Sequence, residues 1–92
     1  MNERQRLTEK AKETWDEMLR TDFDFDFVLD EYGTTKESAE ADAENMLEGE
    51  NGVGYRSQIF ESFKNEELGF IDIEALKAYM QKSLAEALKN RL

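Results

Sequence analysis

Acidic side chains are the residues of this chain that fall in patterns chemistry can use. Between Asp22 and Glu50 eleven of the chain's 22 acids stand against a single base, Lys36. That stretch sums to −10, the formal charge of the whole chain, so the other 63 residues carry eleven acids and eleven bases and are neutral. The acids form two sets. Asp22, Asp24, Asp26, Asp30 and Glu31 are interleaved with Phe23, Phe25 and Phe27, whereas Glu37, Glu40, Glu44 and Glu48 recur at steps of three and four.

Such acids can serve three kinds of chemistry. A catalytic carboxylate pair needs an enclosed site that raises one pKa, and nothing in this polar stretch encloses one. A divalent-metal cage has its hard oxygens in the first set, but phenylalanines interrupt them and no glycine-containing ligand loop is present. The third is a charged surface that imitates a nucleic-acid backbone. On a helix, Glu37 to Glu48 rises roughly 16 Å with carboxylates about 4.5 to 6 Å apart. Phosphate spacing along a nucleic-acid strand is comparable, so a cleft lined with Lys and Arg can accept the stripe in place of its usual ligand. A plainer reading is that the acids only keep a small domain solvated. Their segregation argues against it, since solvation is met as well by mixed-sign surfaces.

Composition narrows the field further. The chain has no cysteine and no histidine, which removes disulfides, the usual zinc sites, and Cys- or His-based catalysis. The expectation is therefore a protein that is not an enzyme and carries no cofactor. A net charge of −10 argues against direct binding to nucleic acid or to an anionic membrane, both polyanions. No run approaches the roughly 18 to 20 apolar residues of a spanning helix, and a cytoplasmic location is expected.

The elements that must hold these acids read as helices. Ninety-two residues without proline make one all-α domain, residues 1–92, of four to five helices. From about Glu3 to Arg20, Leu7, Ala11, Trp15, Met18 and Leu19 fall on one face, which assigns Trp15 to the core. Residues 22–27 alternate Asp and Phe, as an edge strand would. The continuation through Val28, Leu29 and Tyr32 favours a short helix from about Asp24, with Asp22 as cap and Gly33 as stop. On either reading Phe23 and Phe27 need burial. Thr34 and Glu37 have capping-box spacing and start a helix running to Glu48, closed by Gly49. Its apolar face is Ala39, Ala43, Met46 and Leu47. Its opposite face is the glutamate ridge, whose like charges repel.

Glu50 to Gly54 reads as a loop, since its Gly-x-Gly lacks the other residues of a phosphate cradle. A helix follows from about Tyr55 to Lys64 with Ile59, Phe60 and Phe63 inward. Residues 60–80 resemble the EF-hand pattern in hydrophobic frame, with Phe60 and Phe63 before a loop centred on Gly69, Phe70 and Ile71, then Leu76 and Met80. With Gly69 sixth, the first loop position is Lys64 and the twelfth Ala75, where calcium needs acids. The likeness implies only two helices about a turn. Asp72 caps a last helix to about Arg91 with Ile73, Leu76, Met80, Leu84, Ala87 and Leu88 as its stripe.

The functional expectation is a stoichiometric binder of a basic protein surface that normally holds nucleic acid, the ridge and the Asp22 to Glu31 acids being its contacts. Small acidic proteins of this kind occur among the anti-CRISPR and anti-restriction proteins of phages and mobile elements, a likeness of size and charge. The alternative is a small helical adaptor that engages a partner through Phe23, Phe25, Phe27 and Tyr32.

Overall fold

A computed structural model describes residues 2–49 and 54–92, and the loop expected at residues 50–53 lies outside them. The described residues form six helices and no strand: α1 (Glu3–Thr21), α2 (Phe25–Tyr32), α3 (Ala39–Glu48), α4 (Tyr55–Glu61), α5 (Asn65–Leu68) and α6 (Ile73–Arg91). The all-α expectation holds, with six helices in place of four or five. None of them is long and apolar enough to cross a membrane.

The two long terminal helices follow their sequence signals closely. Asn2 and Gln5 form a reciprocal capping box at the start of α1, and Asp72 accepts from the Ala75 amide at the start of α6, satisfying donors the first helical turn leaves free. Leu7, Ala11 and Trp15 on α1 and Leu76, Met80, Leu84 and Leu88 on α6 are all sealed from water. Three polar contacts set how the helices lie together. The Thr8 hydroxyl accepts from the Asp72 amide at 2.9 Å, the Trp15 indole N–H donates to Ser83 at 2.8 Å, and the Tyr79 hydroxyl reaches both Asp16 oxygens at 2.7 and 2.8 Å.

That last contact pushes the Tyr79 phenol up to about 12, first through the hydrogen bond to Asp16 and then through burial and the Asp16 charge. A folded-state pKa above the unfolded value of about 10 means the contribution is complete below pH 10 and lost as pH rises towards 12. Tyr79→Phe is expected to cost about 1 kcal/mol at neutral pH. It should also flatten the alkaline limb of the stability profile, measured as urea midpoint against pH.

Between the terminal helices the sequence expectations shift. Asp24, not Asp22, caps α2, its side chain accepting from the Phe27 amide, while Asp22 ends α1 with its amide on the Met18 carbonyl. Gly33, left-handed at φ 59°, closes α2 with its own amide on Asp30 and the Thr34 amide on Leu29. This double closure consumes Thr34. The expected Thr34–Glu37 capping box is therefore not formed. Thr35 and Ser38 bond each other across a turn, and α3 begins only at Ala39.

The alanine-rich face of α3 has a packing consequence. Ala39, Ala43, Met46 and Leu47 are buried, and α3 makes its most extensive contact with α6, since small side chains let two helices approach closely. The helix expected from Tyr55 to Lys64 stops at Glu61, and the separate single turn α5 follows. Lys64 is extended, and its amide donates to Glu67, so the chain leaves α4 before the expected end. Gly69, at φ −65°, ends α5, so an additional helical turn stands where the EF-hand pattern has its ligand loop.

Candidate functional site

The two acidic sets meet different fates. On α3, Glu40, Glu44 and Glu48 share a face over about 12 Å, while Glu37 lies in the turn before the helix. Each helical glutamate has found a cation from the neutral part of the chain. Lys89 of α6 binds Glu40 at 3.1 Å, and Gln81 donates to the Glu40 carbonyl. Arg56 of α4 binds Glu44 at 3.1 Å and also Glu48. Ser38 donates to Asp42. Three ridge carboxylates thus face two bases, so part of the expected charge is answered within the chain.

Arg56 is the residue that sequence reasoning misses here. It is 6 % exposed and reaches Glu44 through both terminal nitrogens. The signal was present: Arg56, Ile59, Phe60 and Phe63 recur at three, four and seven, so one base sits on the apolar stripe of α4 and enters the protein with it. Once inside, a guanidinium needs carboxylates, and α3 supplies them.

On α2 the acids remain unanswered. Phe25 and Val28 are buried, Phe23 packs on Phe25 and on Tyr55 with ring centres 4.7 and 4.8 Å apart, and Arg91 covers Phe25 at 4.5 Å. This anchors the core side. At 100° per residue, Asp26, Phe27, Asp30 and Glu31 then occupy an arc of about 140° on the other side, and all four are exposed. Phe27, expected in the core, is 62 % exposed, because the helix turns it away from the face that Phe25 and Val28 occupy. Tyr32 is 43 % exposed.

Among the described residues no cation lies within ion-pair distance of Asp22, Asp24, Asp26, Asp30, Glu31 or Glu37. Asp24 is used as a cap. Asp30 and Glu31 occupy the last turn of α2, where no base is present and where the helix dipole is itself negative. The described residues bring together no group of three His, Cys, Asp or Glu placed to hold a metal ion. No family model, curated protein or solved structure matches this chain.

Proposed function

We propose that the protein is a non-enzymatic acidic binder that occupies a basic, nucleic-acid-binding surface of another protein, in the manner of a nucleic-acid mimic, and that α2 rather than α3 leads the contact. One observation carries the reading: among the described residues Asp30 and Glu31 have no ion-pair partner at the negative end of α2, beside an outward Phe27. Acids there oppose the helix dipole by about 0.3–1 kcal/mol, and a phenylalanine left 62 % exposed gains little from folding. Local stability gives no reason for either, which is the mark of a surface kept for a partner. A phenylalanine inside an acid ring also fits how interfaces work, with an apolar anchor surrounded by charges that guide the encounter. An inhibitor of the anti-CRISPR or anti-restriction kind would use such a surface.

The test compares the wild-type chain with a D26N/D30N/E31Q variant, each immobilised and exposed to a cell lysate at low salt. Wild type is expected to retain nucleic-acid-binding proteins that elute between about 50 and 200 mM salt and that added duplex DNA or RNA displaces. The variant should lose at least about tenfold in retention while gaining a few tenths of a kcal/mol in stability. Equal retention by the two chains overturns the reading.

The exposure of Phe27 and Tyr32 favours a second reading, the hydrophobic adaptor. It is narrower than the sequence implied, since Phe23 and Phe25 are buried. Retention that survives high salt and disappears in Phe27→Ala would select it.

A further inference from the structure

α1 and α4 touch only briefly, and an open groove of about 600 Å³ runs between them towards the start of α2. Met18, Tyr55 and Ile59 supply its apolar lining, and Glu13, Glu17 and Asp22 supply its carboxylates. The one base along it, Lys10, lies with its ammonium 5.7 Å from the centre of the Phe63 ring. Glu17 is shared with Arg20, whereas Glu13 and Asp22 meet no cation among the described residues. The groove is therefore negative at its edges and apolar beneath.

Taking the basic-partner reading above as its premise, we propose that this groove seats one arginine side chain projecting from the partner's basic surface. Charge complementarity requires a cation, and the mixed lining selects which one. A guanidinium is planar and weakly hydrated. It can lie against the Tyr55 ring while its N–H groups reach carboxylates, and its methylene stem covers Met18 and Ile59. An ammonium is a compact, strongly hydrated charge and gains less from the apolar lining. Tyr55 is suited to meet a cation. Burial first, then the neighbouring Tyr32 and Asp24, hold its phenol above the ordinary range, so the ring stays neutral near the acids. Asp22, which lines the groove, stands two residues before the Asp24 cap of α2, so an arginine seated there lies near the start of that helix.

The experiment titrates the isotope-labelled full chain with three blocked tripeptides, Gly-Arg-Gly, Gly-Lys-Gly and Gly-citrulline-Gly, and follows backbone amide shifts. Saturable shifts at Glu13, Met18, Asp22, Tyr55 and Ile59 are expected, with the arginine peptide bound about fivefold or more tightly than the lysine one and citrulline, isosteric but neutral, hardly bound. E13Q/D22N should weaken the arginine peptide by about fivefold or more, and D26N/D30N/E31Q should leave it unchanged. Shifts confined to the outward face of α2, equal binding of arginine and lysine, no saturable binding, or an unaffected E13Q/D22N variant would each overturn the groove assignment. The broader reading is judged on another variant and another probe: unchanged lysate retention by D26N/D30N/E31Q sinks that reading even where the groove binds arginine.

Discussion

Neutralising Glu44 and Glu48 together, as E44Q/E48Q, is expected to destabilise the protein by about 3 kcal/mol, whereas removing their common partner, as Arg56→Met, costs only about 1 kcal/mol. The asymmetry follows from where each charge sits. The Arg56 side chain is 7 % exposed, while those of Glu44 and Glu48 are 46 % and 57 % exposed. Without Arg56 the two carboxylates rehydrate, and a methionine fills most of the vacated volume. Without the carboxylates a guanidinium stays in the protein with no counter-charge, the costly case. Thermal unfolding of a domain this size should show the double variant melting roughly 12–24 °C lower. The triple variant E44Q/E48Q/R56M should recover most of that loss. A triple variant no more stable than E44Q/E48Q would mean that the buried charge is not what the glutamates answer.

This bears directly on how the acidic surface is probed. Changing Glu37, Glu40, Glu44 and Glu48 to glutamine is the natural test of a charged ridge read from the sequence. On this fold it strips Arg56 of its partners, so a loss of binding would report a loosened α3–α4 junction as readily as a lost surface. Asp26, Asp30 and Glu31 hold no cation among the described residues and can be neutralised without that consequence.

The contrast between the two sets also marks what the sequence made legible. Periodicity placed α1 and α6 within a residue of their observed ends, because long stripes such as Leu76, Met80, Leu84 and Leu88 have one burial solution. It placed the apolar face of α3 correctly for the same reason. It failed where two local signals competed for one residue. Thr34 satisfies a capping-box spacing, but its amide is already spent closing α2 behind Gly33. Phe27 looked like core because alternation with Phe23 and Phe25 implies one face. In a helix starting at Phe25, two residues further on is the opposite face. Pairing across the fold was out of reach in a different way. That Lys89 answers Glu40 and Arg56 answers Glu44 depends on which helices become neighbours, which no window of sequence encodes. That Glu40, Glu44 and Glu48 meet bases while Asp26, Asp30 and Glu31 meet none among the described residues appears only in three dimensions.

Gly54→Ala is expected to cost about 3 kcal/mol, at the upper end of the usual range for overpacking, and to act through the same junction. Gly54 precedes α4 with an ordinary extended backbone, φ −114°, so its need for glycine is not conformational. It is steric: a Cβ there would stand 2.3 Å from the Leu47 carbonyl oxygen and 2.6 Å from backbone atoms of Glu48 and Gly49. Gly33 is the reverse case, with open space around the Cβ position but a left-handed φ of 59°. Backbone cannot rotate aside as a side chain can, so an alanine at position 54 must push the start of α4 away from the end of α3. Arg56, two residues on, moves with it and away from Glu44 and Glu48. The costs of Gly54→Ala and Arg56→Met should therefore overlap, with the double variant more stable than the sum of the two losses predicts by about 1 kcal/mol. Urea unfolding of the four chains measures that coupling. Strict additivity would mean that α4 can shift against α3 without dislodging Arg56, and that the close approach at Gly54 serves chain packing alone.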